Sequence, residues 1–436
     1  MDRDGVVEAG IWQLFDVIGR FVERLHPISA LAYCHLEQGK VGMAKYSTLL
    51  PWLMVFGAGL CLRTGISSLA PVLGAIQEQL LIAGGALGLL TAVPVICMGL
   101  LSPLGYIAYR RFGLKRAMLL AFGILILGLA LRLAAQSYGV LLLTAALVGI
   151  GDAIIRPLLS GFIKETFHDD KSPAAMGLYA TSMGVGSAIA AYATPLLANM
   201  AGGWQAGLAF WALPAVAAAG LWAVWPAARG AVALPAAATH RPKRRVVVWL
   251  AVFFGLQAGI NYTVVAWLPS LYMASGFTPH ASSVLIALFL VLQTATSLFF
   301  PLLLRGARVG VVGAMGIFTA LVIAGTLMLW WLPQTVWGAA VLLGLGTGGL
   351  FPLALLLPLA FSASKHEATR LSGLTQSAGY LFGGMMPWIA GAAADGFGVV
   401  SGVAVLALLM GLGLIAVVAL VRASYRENKT ALQAGP

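Results

Sequence analysis

The stretch LVGIGDAIIRPLLSGFIKETF, Leu147 to Phe167, is apolar over the length of a membrane crossing, yet it holds Asp152 and Arg156 in its middle. About 20 apolar residues suffice to carry a helix across ~30 Å of hydrocarbon. A charge at that depth costs about 2.5–3.5 kcal/mol on insertion scales, so it faces protein or a watery cavity rather than lipid. Residues four apart share a helical face, and the two charges therefore point the same way. A helix with such a face belongs to a bundle packed around a polar interior. Asp152 is the one carboxylate that the sequence places deep in the membrane.

The composition of the whole chain agrees. Of 436 residues, 60% are hydrophobic and 9% charged, against about 25% charged in soluble domains. The apolar runs far exceed the length of a barrel strand, so the expected fold class is an all-α integral membrane protein. The 53 glycines suit it, because small residues let membrane helices approach closely. The net charge of +12 would suit nucleic acid, but its placement argues otherwise. Of the 26 Lys and Arg, all but Arg63, Arg132 and Arg156 fall in tails, in alternate loops or at the span ends that border them. That is the positive-inside pattern, which predicts cytoplasmic basic loops, both termini inside and no nucleic-acid partner. Cys34, Cys61 and Cys97 form neither a disulfide framework nor a metal-ligand spacing. The N-terminus lacks the charge order and hydrophobic core of a cleavable signal.

Hydropathy predicts twelve spans, at 48–70, 80–104, 115–135, 139–163, 173–198, 204–226, 246–270, 281–304, 310–332, 335–361, 369–394 and 399–422. They divide into six-helix bundles at 46–226 and 246–422, joined by a basic cytoplasmic linker at 227–245, with a cytoplasmic tail at 423–436. Residues 1–45 stand apart as a cytoplasmic N-terminal extension. Ile11, Leu14, Phe15, Ile18, Phe21, Val22 and Leu25 share one helical face there. This is either an amphipathic helix lying on the membrane or an extension without function ahead of Met43. The two halves echo each other. Gly149 and Gly151 precede Pro157 as Gly344 and Gly346 precede Pro352. Each half then has a polar turn, a Gly-rich span (Gly177, Gly373) and a later proline (Pro195, Pro387). Duplicated six-helix halves with a site between them near the midplane define the major facilitator architecture.

The loop Gly105-Tyr-Ile-Ala-Tyr109-Arg110-Arg111-Phe-Gly113-Leu-Lys115-Arg116 resembles the cytoplasmic signature of that superfamily, with Tyr109 where the signature has an aspartate. Other stretches resemble the cyanate/2-nitroimidazole permease family within it: Leu62-Arg63, Ser67-Ser68-Leu-Ala-Pro71-Val-Leu and Ala92-Val-Pro94-Val. So do Gly161-Phe-Ile-Lys164-Glu-Thr-Phe167, Ala266-Trp267-Leu-Pro269-Ser-Leu-Tyr272 and Gly349-Leu-Phe-Pro352-Leu. The similarity runs over about residues 48–420; Asp152 and the pair Arg156-Pro157 depart from the family pattern. The resemblance implies a secondary transporter of the inner membrane. It also implies a small planar, polar or anionic substrate, such as cyanate or a nitroimidazole, that reaches the arginine of the first span.

The residues at span depth bear on the same chemistry. Arg63 offers five donors in a permanently charged planar fork, suited to a small anion or planar ligand; otherwise it is a fixed strut bonded to carbonyls. Arg132 lies near the outer end of the third span, where it either snorkels to the headgroups or touches substrate, the first being the main expectation. Arg156 either binds substrate or neutralises Asp152 in a structural pair. Asp152 is the candidate for proton coupling or gating, since all six histidines fall in tails, loops or span ends. Gln257, Asn261 and Tyr262 in the seventh span face inward, either to bind substrate or to tie helices. Gln376 is a further substrate-binding candidate, with Gln293 and Tyr380 behind it; Trp267 reads first as an interfacial anchor. Three span arginines against one carboxylate leave a positive interior that favours an anion.

The alternative within this fold is a proton-driven exporter of drugs or other organic solutes. An enzyme is disfavoured because there is no His-Glu-x-x-His pair, histidine cluster, paired carboxylates or phosphate-cradling loop. No cofactor or metal is expected. The expected partners are a small-molecule substrate, a co-transported proton and the lipid bilayer, with the chain acting as a monomer.

Overall fold

The structure is a computed structural model that describes residues 43–81, 84–168, 170–225, 244–274, 276, 279–306, 310–331 and 336–433. The amphipathic segment expected before Met43, Cys34 and most of the linker expected at 227–245 lie outside the described residues. Every regular element among those residues is helical. In chain order the principal helices are α1 (Met43–Ser67), α2 (Gly84–Leu101), α3 (Pro103–Ala130), α4 (Tyr138–Thr166) and α5 (Ser172–Met200). Then comes α6, broken into Trp204–Ala209 and Ala212–Val224. The second set is α7 (Arg244–Ala274), α8 (Pro279–Gly306), α9 (Gly310–Trp331), α10 (Val336–Ala360), α11 (Lys365–Phe397) and α12 (Val399–Gln433).

Among the described residues, ten helical segments are long and apolar enough to cross a membrane. α2, a shorter apolar helix, and α11, whose polar residues lower its hydropathy, complete twelve. They form two six-helix halves with matching internal packing. α1 lies on α5 and α3 on α4, as α7 lies on α11 and α9 on α10. Lipid is as apolar as a leucine side chain, so close approach rather than water exclusion holds such helices together. The repeated glycines supply it. A Cβ on Gly151 would come within 3.0 Å of the Ala121 carbonyl oxygen on α3, and one on Gly346 within 3.0 Å of that of Phe318 on α9. Gly149 and Gly344 meet α2 and α8 in the same way, at Pro94 and Phe289.

Two sequence boundaries shift. The signature stretch 105–114, expected as a loop, is helical. Pro103 at the start of α3 needs no N–H partner there, and the helix continues until Gly113 breaks it with φ 76°. α12 likewise runs to Gln433, through most of the expected tail. The basic residues Arg110, Lys164, Lys171 and Lys365 all lie at one end of the bundle, the basic end. There Phe162 meets Trp222 and Trp225 edge-on with centroids 4.7 and 5.6 Å away, fixing the end of α4 against α6.

Candidate functional site

A hollow of about 700 Å³ lies where the two halves meet, walled by α1 and α5 on one side and by α7, α8, α10 and α11 on the other. Its lining extends from Tyr380 and Phe351, mid-bundle, to Ser67, Ala191 and Val265 toward the end opposite the basic one. The walls are mainly apolar, with a few convergent polar groups, the usual make-up of a small-molecule site. Arg63, Gln257, Asn261 and Tyr262 all line it. Arg63 is half-buried and has no hydrogen-bond partner among the described residues, which leaves its fork available to the hollow. Gln257 is buried and reaches the hollow from the adjoining turn of α7.

Asp152 and Arg156 sit behind this lining. Both are at most 1% exposed. Arg156 Nε donates to Asp152 Oδ1 at 2.5 Å and Nη2 to Oδ2 at 2.9 Å, a two-pronged ion pair within α4. The remaining nitrogen, Nη1, donates to Tyr380 Oη at 2.8 Å and points toward Met183 Sδ at 3.7 Å. Tyr380 and Met183 line the hollow, so the pair underlies the site and crosses from the first half to α11 of the second. Tyr380 is itself wedged edge-on against Phe254, 5.0 Å between centroids. Arg63 stands within electrostatic reach of Asp152.

Gln376 does not line the hollow. It lies one turn from Tyr380 toward the basic end, fully buried, with neither amide atom bonded among the described residues. Gln293 lines the hollow but spends its amide N–H on Thr347 Oγ1 at 3.0 Å, a tie within the second half. One expectation is corrected. Arg132 is fully buried and does not snorkel. Past Ala130 the chain tightens into a 3₁₀ turn, Leu131–Ala134. This folds Arg132 over the C-terminal end of α1, whose dipole favours a cation, with Nη1 3.4 Å from Ser68 Oγ. Trp267 Nε1 donates to the Pro387 carbonyl at 2.9 Å, tying α7 to α11.

Sequence reasoning missed Tyr179, Thr181 and Ser187. Tyr179 is fully buried beside Arg156, and a tyrosine at mid-span, away from both interfacial belts, was the available signal. Ser187 shares a 2.6 Å hydrogen bond with Ser67 at the wall of the hollow.

From mid-bundle to the basic end the halves are in contact. Gly177 on α5 admits Ser297 and Pro301 of α8, as Gly373 on α11 admits Ser102 and Pro103 of the first half. A Cβ on Gly161 would overlap Thr369 Oγ1. Ser377 Oγ donates to the Gly99 carbonyl, and Lys365 is paired with Glu165. Tyr109 is buried against His366, rings stacked at 4.6 Å and 29°, in the place where the signature carries a carboxylate. His366 precedes the membrane-crossing part of α11. Burial lowers the pKa of its imidazole, Lys365 and Arg110 add to that, and Glu165 opposes them.

Two related six-helix halves enclosing a mainly apolar hollow with a few convergent polar groups, sealed at one end, are the build of a membrane transporter of the major facilitator class. The sequence profile of the Major Facilitator Superfamily matches residues 55–387, and the chain belongs to that family. It is 32% identical over 340 residues to the cyanate transport protein CynX of Escherichia coli, covering 76% of this chain and 87% of that protein. It is 30% identical over 360 residues to the 2-nitroimidazole transporter of Escherichia coli, covering 80% and 90%. Among solved structures it is similar in fold to the proton:xylose symporter XylE, with TM-score 0.71 and 12% identity over 86% of this chain and 95% of that one. The human organic anion transporter MFSD10 matches equally, with TM-score 0.71 and 14% identity over 85% and 99%. The protein is a membrane-embedded transporter, and its relatives are not enzymes.

Proposed function

We propose that the protein is a secondary carrier for a small planar solute, polar or anionic, of the cyanate or nitroimidazole kind. The observation that carries the reading is the unpartnered fork of Arg63 in a hollow between the halves, with amides on the facing wall. An anion or nitro group accepts from Arg63, while Gln257, Asn261 and the Tyr262 hydroxyl supply the remaining contacts. Arg156 acts from below through Tyr380 and does not meet the solute in this state. Asp152 holds Arg156 in that position, so loosening this pair frees α11 from α4 and gates the basic end. The basic end is cytoplasmic under the positive-inside rule, which places both termini inside and leaves the hollow facing outward. The carrier works as a monomer in the inner membrane, and a proton, if co-transported, enters through Asp152.

Counterflow tests the reading. Purified protein in liposomes preloaded with potassium cyanate or 2-nitroimidazole is expected to accumulate labelled solute transiently and saturably. Linear flux, or saturable flux unchanged by Arg63→Ala at equal protein content, would overturn it.

A further inference from the structure

Gln376 is fully buried, and among the described residues both its amide nitrogen and its amide oxygen lack partners. Ser372, one turn nearer the basic end on the same face of α11, also has an unbonded buried hydroxyl. An amide serving as a helix tie has a bond in place, as the half-buried Gln293 does with Thr347. An unmet amide instead destabilises the state that contains it. The neighbours on α11 are engaged: Tyr380 with Arg156, Ser377 with Gly99, Thr369 against Gly161. Gln376 lies between the floor of the hollow and the sealed basic end.

We propose that Gln376, with Ser372, forms a second solute subsite on the basic-end side of Arg156, used only when the basic end opens. The proposal rests on the carrier reading and adds to it a state-specific contact. Nε2 donates to an acceptor atom of the solute and Oε1 receives an N–H. A planar heteroaryl solute with a ring N–H and an acceptor substituent engages both, and a cyanate ion engages the donor alone. Its unmet bonds bias the resting carrier against staying closed, and solute or water satisfies them after opening.

Gln376→Met keeps the shape of the side chain and removes the amide. Three measurements are made on the full-length protein: thermal unfolding in detergent, binding of 2-nitroimidazole and of cyanate, and uptake of each by liposomes. The proposal expects the variant to melt about 1–3 °C higher, to bind within twofold of wild type, and to lose about tenfold in uptake. Unchanged uptake, or a lower melting temperature, would show that the amide is idle or structural and overturns the proposal. A wild type that moves neither probe would count against the carrier reading separately. In that event Gln376→Cys, in a chain with Cys34, Cys61 and Cys97 replaced by Ser, still decides. Modification by a small charged thiol reagent from the basic end alone supports the subsite. Absence of modification from that side refutes it.

Discussion

Asp152→Asn removes one charge from a fully buried pair and leaves the guanidinium of Arg156 uncompensated. The pair has both carboxylate oxygens engaged, at 2.5 and 2.9 Å, with no solvent to replace them. Deleting one partner of such a pair costs about 3–5 kcal/mol, because the surviving charge stays desolvated. Asn keeps an acceptor facing Arg156, which puts the loss near the lower value, about 3 kcal/mol. At about 2.1 cal/mol/K of unfolding entropy per residue, a chain of 436 residues carries roughly 0.9 kcal/mol/K, and the melting temperature falls by about 3 °C. Removing both charges, in Asp152→Asn with Arg156→Gln, recovers most of that loss, since desolvation of the intact pair nearly cancels its attraction. A thiol-reactive dye reports the unfolding by the exposure of buried Cys61. The single variant melting with wild type, or the double variant melting below the single, would refute the electrostatic account. Transport separates the two roles of Asp152. Loss of gradient-driven uptake with counterflow retained marks a proton carrier, and loss of both marks a holder of Arg156.

Arg63→Ala is expected to abolish counterflow while leaving the melting temperature within about 1 °C, because Arg63 has no hydrogen-bond partner among the described residues to lose; normal uptake at normal expression would contradict its role. Gly161→Ala sets a methyl against Thr369, so the basic end closes less fully and a thiol reagent applied from that side reaches Cys engineered at Lys164 faster; unchanged labelling would show that the contact is not part of the seal. The Glu165–Lys365 pair is about a third exposed on each side. It therefore contributes about 1 kcal/mol or less, and exchanging the two charges preserves uptake that Lys365→Glu alone diminishes. His366 titrates below the ordinary imidazole value of about 6.5 when the basic end is closed, so closure binds fewer protons than opening. Its contribution to closure is complete above about pH 6.5 and fades as pH falls toward the lowered value. Basic-end labelling should therefore rise on acidification in wild type but not in His366→Gln.

Much of this molecule was legible in the chain. Hydropathy and the alternation of basic loops gave twelve crossings, since lipid forces each span to satisfy its backbone alone and each span is therefore readable by itself. The repeated glycines located the close contacts for the same reason: a missing side chain marks where another backbone arrives. Depth in the membrane singled out Arg63, Asp152 and Arg156, because charge there is too costly to be incidental. Which polar groups meet one another was not legible. Tyr380 and Arg156 are 224 positions apart and bond across the two halves. Arg132 turned inward on a 3₁₀ turn that hydropathy does not register, and Gln376 sits fully buried beside the Arg156–Tyr380 contact rather than at the hollow. A span's depth is a property of its own residues, whereas the facing of its side chains depends on how the neighbouring helices rotate and pack. The sequence by itself therefore determined a two-half membrane bundle with buried charge. Only the tertiary structure decided that Arg63 is free in the hollow while Arg156 is spent on holding the halves together.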